Sequence, residues 1–198
     1  MQSDEIELKF PVSDPVAFHR KLEELSFHLD TPRTFESNTL YDTPTRSLRE
    51  QKQILRIRHY GNRWVVTHKR QPDIDDLPSK YKVRVETESE VEDGPSLGRI
   101  FEQLGYTPVF RYEKFRTEWS DPLHPNGHLV VDETAIGTFA ELEGPPAWID
   151  QTLERLAVNP ASCLTESYGK LFLAWKEQTG SPAEHFTFDE IAASKTTA

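Results

Sequence analysis

Short stretches that alternate charged and apolar residues run through this sequence, and this alternation constrains the possible folds more than any other feature. The first stretch, residues 5–10, reads EIELKF. Successive side chains of a strand point to opposite faces, so Glu5, Glu7 and Lys9 share one face and the apolar residues share the other. The same pattern predicts about seven such strands, at 5–10, 52–60, 63–70, 81–90, 107–119, 128–133 and 138–143.

If the charged faces of these strands converge, they enclose a wet, charged interior. Charges removed from bulk water need partners or bound ions, so their number favours a functional interior. An open sheet with a solvated charged face is the alternative, but antiparallel sheets of this many strands tend to curl closed. Apolar stripes predict helices at 16–29, 96–104, 147–156 and 164–177 that would cover the apolar faces. The predicted fold class is α+β, a closed antiparallel β-barrel with helices packed on the outside.

Length and composition bound the domain organisation. The chain has 198 residues, 36% of them hydrophobic, which suits one domain with a substantial core. We expect this domain to span 1–178 and residues 179–198 to form a polar, loosely held tail. Its N-terminus lacks the features of a secretory signal, and the single Cys163 cannot form an internal disulfide, so we expect a cytoplasmic protein.

The predicted charged faces also limit the partners. A formal net charge of −10 argues against a nucleic-acid-binding surface, and no apolar run is long enough to cross a membrane. Clustered carboxylates suit a hard divalent cation such as Mg²⁺ or Mn²⁺, and clustered Arg and Lys suit an anion with several phosphates. The seven histidines show no metal-ligand spacing, and no Gly-rich phosphate loop is present. The charges therefore predict a site for a metal ion and a triphosphate.

A series of short motifs follows this pattern along nearly the whole chain. In order, the motifs are Glu5-Ile6-Glu7-Leu8-Lys9, Leu55-Arg56-Ile57-Arg58, Thr67-His68-Lys69, Arg84-Val85-Glu86-Thr87-Glu88, Glu113-Lys114-Phe115-Arg116, Asp132 with Gly137-Thr138-Phe139-Ala140-Glu141-Leu142-Glu143, and Ser167-Tyr168. The series resembles the CYTH or triphosphate tunnel metalloenzyme family, which includes class IV adenylyl cyclases, thiamine triphosphatases and inorganic triphosphatases. The resemblance implies an antiparallel barrel of about eight strands that forms a tunnel.

The resemblance also implies roles for individual residues. The residues implied to grip the triphosphate are Arg56, Arg58, Lys69, Arg84, Lys114 and Arg116. Those implied to hold one or two Mg²⁺ or Mn²⁺ ions are Glu5, Glu7, Asp132, Glu141 and Glu143. Lys9 and Glu143 are the implied catalytic residues, with Lys9 orienting or deprotonating an attacking water. Glu88 is expected to be a structural partner of nearby arginines. The sequence departs from the family pattern at Leu40, where a tyrosine is frequent, and at Lys170, where an acidic residue is common.

Three functions are compatible with such a tunnel. The first is a metal-dependent triphosphatase that hydrolyses tripolyphosphate, thiamine triphosphate or a nucleoside triphosphate such as ATP. The second is a class IV adenylyl cyclase that converts ATP into cyclic AMP and pyrophosphate, and the third is a non-catalytic module that binds polyphosphate or nucleotide. We favour the triphosphatase because hydrolysis needs only the tunnel, whereas cyclisation also needs an adenine pocket that the sequence does not locate. We expect a monomer or homodimer.

Overall fold

The computed structural model of the chain describes residues 2–72 and 80–196. Within these residues, eight antiparallel strands close into a barrel in the order β1-β5-β4-β3-β2-β6-β7-β8. The strands are β1 (Gln2–Val12), β2 (His28–Asp42), β3 (Ile54–Tyr60), β4 (Arg63–Arg70), β5 (Lys82–Val91), β6 (Thr107–Asp121), β7 (His124–Thr134) and β8 (Gly137–Glu143). The predicted α+β fold with a closed antiparallel barrel is confirmed.

Helices connect and cover the strands. They are α1 (Pro15–Glu24), α2 (Ser47–Glu50), α3 (Gly94–Gln103), α4 (Pro146–Arg155), α5 (Tyr168–Thr179) and α6 (Phe188–Thr196). Asp14 caps α1 by accepting a hydrogen bond from the Ala17 N–H at 2.9 Å. The helix ends before the predicted limit because Ser26 adopts a left-handed φ of 63°, and Leu29 already belongs to β2. None of the described helices combines the length and apolar character needed to cross a membrane.

The main hydrophobic core lies outside the barrel wall, where the apolar strand faces meet α1 and α4. Leu8 and Phe10, each 2% exposed, pack there with Leu22 of α1 and Ile149 of α4. Burying these side chains offsets the cost of a charged interior, since each fully buried large apolar side chain contributes about 1.5–3 kcal/mol. The alternation that turns Leu8 and Phe10 outward turns their charged neighbours into the barrel.

The segment that follows α5 corrects one expectation. Three of its residues are not loosely held: Ala183, Phe186 and Ile191 are buried in a second cluster with Phe172. The Phe186 N–H donates to the Arg111 carbonyl at 2.9 Å, which ties this segment to β6. The prediction failed because the few apolar residues of the segment are separated by polar ones, so their partners appear only in the folded chain.

Candidate active site

The charged strand faces line a cavity of about 310 Å³ inside the barrel. The predicted site residues on its wall are Lys9, Arg56, Arg58, Lys69, Lys114, Arg116, Glu5, Glu7, Glu141 and Glu143. Two further predicted residues, Arg84 and Asp132, lie outside this lining set. Arg84 is partly buried and pairs with Glu5 in the β1–β5 register, and Asp132 is fully buried behind the cavity wall. The alternation thus brought most of the predicted residues to one cavity.

Three carboxylates come together at one side of the cavity. Glu5, Glu7 and Glu143 each offer an oxygen, and these oxygens all lie within 4.8 Å of one another. Strand register explains the group: Glu7 faces Glu143 directly across β1 and β8, and Glu5 lies two residues from Glu7 on the same face. Lys69 contacts Glu5 at 2.7 Å, and Lys82 contacts Glu7.

The electrostatics of this acidic group favour a cation. Burial and the nearby carboxylates of Glu5 and Glu7 raise the pKa of Glu143. Burial also acts to raise the pKa of Glu7, but the positive charges of Lys82, Lys9 and Lys69 outweigh it and bring this pKa to about 2. The surroundings of Glu143, which include two other carboxylates, therefore oppose its ionised form. Three carboxylate oxygens this close together fit the preference of Mg²⁺ or Mn²⁺ for oxygen ligands.

Asp132, predicted as a metal ligand, holds cations instead. It is 0% exposed and accepts hydrogen bonds from Lys114 Nζ at 2.8 Å and from Arg116 Nε and Nη2 at 2.7 Å each. The Tyr168 hydroxyl donates to the same carboxylate at 2.7 Å. Its two oxygens already receive four donors, and within the described residues Asp132 is not a member of the acidic group formed by Glu5, Glu7 and Glu143. The geometry makes Asp132 an anchor for the basic wall of the cavity.

Glu141, also predicted as a metal ligand, lies in a similar position. It accepts a hydrogen bond from Arg116 Nη2 at 2.7 Å and forms an ion pair with Lys9. Lys9 is 2% exposed, and its Nζ lies 4.0 Å from the centre of the Tyr168 ring. Burial lowers the pKa of Lys9 to about 7, and the negative charge of Glu7 offsets this only in part. Lys9 and Glu141 thus form a buried pair beside the acidic group.

Two arginines of β3 form another part of the basic wall. Arg56 donates to the Tyr112 hydroxyl at 2.9 Å and to the Thr67 hydroxyl at 3.1 Å. Arg56 and Arg58 both reach Glu88 at 3.4 Å, in agreement with the structural role predicted for Glu88. The Nε atoms of both arginines are buried and have no hydrogen-bond partner among the described residues. Both arginines also line the cavity, so their guanidinium groups lie where an anion would bind.

Several residues on or beside the cavity wall were given no role in the sequence prediction. Lys82 has a sequence signal, since it shares the charged face of β5, but it was not assigned a role. Glu36 is fully buried and lies 3.4 Å from Lys114, and Tyr112 and Tyr168 line the cavity. Alternation could have indicated Tyr112, which lies on the predicted strand 107–119, whereas Tyr168 comes from helix α5 and reaches the barrel only through the tertiary fold.

Comparison with known proteins places this architecture in a family. The family model of the CYTH domain matches residues 3–155. The chain belongs to the CYTH family. Except for Gln2, the match covers the eight strands of the barrel, so the resemblance inferred from the motifs is confirmed.

Relatives of this CYTH protein include both sequences and solved structures. A Methanocaldococcus jannaschii protein named "putative adenylate cyclase" is 29% identical over 140 residues, which cover 70% of this chain and 75% of that protein. A structure from Pyrococcus horikoshii OT3 matches with a TM-score of 0.70 and 25% identity, over 86% of this chain and 99% of that one. A Hippeastrum protein, described as a putative adenylyl cyclase with a dominant triphosphatase activity, matches with a TM-score of 0.59 and 21% identity over 88% and 96%. At that identity, the Hippeastrum match shows only that this CYTH protein shares its fold.

Proposed function

We propose that this protein is a metal-dependent phosphohydrolase that acts on a triphosphate bound in the barrel cavity. The observation that carries the proposal is the position of the Glu5, Glu7 and Glu143 carboxylates, within 4.8 Å of one another, on the wall that also carries basic side chains. Binding of phosphate alone requires only the basic wall. The acidic group has a role when a metal ion is bound together with the phosphates.

The residues divide into two proposed roles. Glu5, Glu7 and Glu143 would hold Mg²⁺ or Mn²⁺, an ion that, when bound, polarises phosphoryl oxygens and offsets their charge. Arg56 and Arg58, which line the cavity, would bind phosphate oxygens through their guanidinium groups. The other basic residues proposed to contact the triphosphate are Lys69, Lys114 and Arg116.

Three sequence predictions take a different form in this proposal. Asp132 and Glu141 would position Lys114, Arg116 and Lys9 instead of binding metal, since their oxygens already accept hydrogen bonds from these cations. Arg84 is not among the residues that line the cavity, so this proposal gives it no contact with the phosphates. Lys9 remains the proposed residue that orients or deprotonates the attacking water, because it lies on the cavity wall close to the acidic group.

A product assay tests this function. The purified protein would be incubated with tripolyphosphate, thiamine triphosphate and ATP, each with Mg²⁺ or Mn²⁺, and the products resolved by chromatography. Metal-dependent release of orthophosphate supports the proposal. Cyclic AMP and pyrophosphate from ATP would instead establish the cyclase, the alternative favoured by the name of the Methanocaldococcus jannaschii relative. Binding without any product would identify a non-catalytic module.

A further inference from the structure

One part of the cavity wall is apolar. Leu40, Ile54 and Phe110 line the cavity together with the charged residues. Leu40 of β2 faces Phe110 of β6 in one pairing and Arg56 of β3 in the other, and Ile54 lies two residues before Arg56 on the same face of β3. Because β3, β2 and β6 are neighbours in the barrel, the three side chains lie on adjacent strands, and we call them the apolar strip.

Core packing does not account for the strip. Leu40 and Ile54 belong to neither of the two hydrophobic clusters found in the described residues. Phe110 packs at the edge of the second cluster, with its ring centre 5.6 Å from that of Phe172. All three side chains remain partly exposed. Apolar surface that faces water in a charged cavity has an unfavourable hydration free energy, and this cost is removed when a ligand covers the surface.

The centre of the strip, on β2, lies across the barrel from the acidic group. Glu5, Glu7 and Glu143 are on β1 and β8, whereas β2, at the centre of the strip, is four places from β1 in the closed strand order. Basic residues flank the strip on both sides, with Arg56 on β3 and Lys114 on β6. A cavity of this kind offers separate surfaces to the polyanionic part and to the apolar part of one ligand.

We propose that Leu40, Ile54 and Phe110 contact the organic part of the substrate, which is therefore an organic triphosphate with a flat ring rather than inorganic tripolyphosphate. This inference rests on the proposed hydrolase function and narrows its substrate class. Inorganic tripolyphosphate has no apolar surface, so the strip contributes nothing to its binding. A nucleobase or another aromatic ring packs favourably against branched aliphatic side chains and a phenyl ring.

The test compares one organic and one inorganic substrate. The variants Leu40→Ala and Ile54→Ala would be assayed for KM and kcat with ATP and with tripolyphosphate, each with Mg²⁺. Leu104→Ala is the matched control, because Leu104 is 69% exposed and is not among the residues that line the cavity. Each strip variant is expected to raise the KM for ATP by at least about fivefold, consistent with the loss of two or more apolar carbon contacts. The KM of the strip variants for tripolyphosphate should change by less than about twofold. Leu104→Ala should change neither the KM for ATP nor the KM for tripolyphosphate.

The possible outcomes separate this inference from the hydrolase proposal. Hydrolysis of tripolyphosphate without hydrolysis of either ATP or thiamine triphosphate, or equal effects of the strip variants on ATP and tripolyphosphate, would overturn the inference and leave the hydrolase intact. If neither compound is hydrolysed, the hydrolase proposal is wrong, and calorimetric binding of the ATP analogue AMP-PNP with Mg²⁺ still decides the inference. Weaker binding to Leu40→Ala than to the wild type supports it, whereas equal binding or no binding to the wild type overturns it. Circular dichroism checks that each variant folds, and Ile54→Ala provides the test should Leu40→Ala not fold.

Discussion

The substitution Asp132→Asn tests the anchoring role of Asp132 most directly. Asparagine keeps the size of the side chain but removes its charge and replaces one acceptor oxygen with an NH₂ donor. In the wild type, both oxygens accept hydrogen bonds, from Lys114, Arg116 and Tyr168 at 2.7–2.8 Å. In the variant, at least one of these buried donors would therefore face another donor. Two buried cations, Lys114 and Arg116, would also lose their shared counter-ion.

The expected loss of stability follows from the remaining contacts. Removal of one partner from a buried ion pair costs roughly 3–5 kcal/mol. Lys114 keeps Glu36 at 3.4 Å, and Arg116 keeps Glu141 at 2.7 Å, so the lower end applies. For a chain of this length, each kcal/mol lowers the melting temperature by about 2–4 °C. A loss of about 3 kcal/mol then lowers it by roughly 6–12 °C.

The pH dependence of stability provides a second test of the contacts that Asp132 makes with Arg116 and Lys114. Burial acts to raise the pKa of Asp132, but Arg116 and Lys114 outweigh it and hold this pKa well below its usual range. A carboxyl whose pKa is lowered on folding stabilises the protein above its unfolded pKa, and this contribution is lost as the pH falls towards its folded pKa. The difference in melting temperature between wild type and Asp132→Asn should therefore be complete at neutral pH and should narrow below about pH 4.

Differential scanning calorimetry at several pH values measures both effects. Asp150→Asn is the matched control, because Asp150 pairs with Lys80 at 2.6 Å on the surface, where an ion pair contributes about 1 kcal/mol at most. Tripolyphosphate should stabilise Asp132→Asn more than the wild type, since its phosphates can pair with the released cations. An Asp132→Asn protein that melts within about 2 °C of the wild type at neutral pH, or a difference that does not vary with pH, would refute the anchoring role.

Three further predictions concern the cavity itself. Glu143→Gln should abolish most phosphate release while circular dichroism shows an intact fold. Without metal, the melting temperature of this variant should equal or exceed that of the wild type, because burial and the Glu5 and Glu7 carboxylates oppose a charge on Glu143. Full activity of this variant at low metal concentration would contradict its role. Arg56→Ala and Arg58→Ala should each weaken tripolyphosphate binding, measured by calorimetry, by about 2 kcal/mol. Lysine at the same positions should restore only part of the lost binding free energy. Unchanged affinity in both alanine variants would exclude a phosphate contact. Tripolyphosphate with Mg²⁺ should raise the melting temperature more than either compound alone at matched ionic strength, since a ligand at a hundredfold excess over Kd stabilises by about 2.7 kcal/mol. If tripolyphosphate does not shift the melting temperature with or without Mg²⁺, the cavity does not bind tripolyphosphate and Mg²⁺ together.

Much of the barrel and its lining could be predicted because the direction of a strand side chain is a local property. Residues two apart share a face whatever the strand pairs with. Glu5, Glu7 and Lys9 were therefore assigned to one face from their spacing alone, and all three line the cavity. The same rule placed Leu8 and Phe10 in the outer core.

The pairing of the charges could not be predicted in this way. Asp132, Glu141 and Glu143 are all acidic residues of predicted strands, and the sequence gives no reason to separate them. Strand order and register decide the matter: Asp132 lies opposite Arg116 in the β6–β7 pairing, whereas Glu143 lies opposite Glu7 in the β1–β8 pairing. The first carboxylate therefore meets cations and the last meets another carboxylate.

The sequence by itself determined which side chains face the interior, and only the tertiary structure decided which of them are neutralised and which are left for a ligand. Lys9 and Glu141 are 132 residues apart in the chain, yet they form a buried pair. Tyr168 reaches Asp132 from a helix that lies outside the barrel strands. The alternation of a strand is set by its own backbone, but the partner of a charge depends on closure of the barrel, which brings distant segments within a few ångströms.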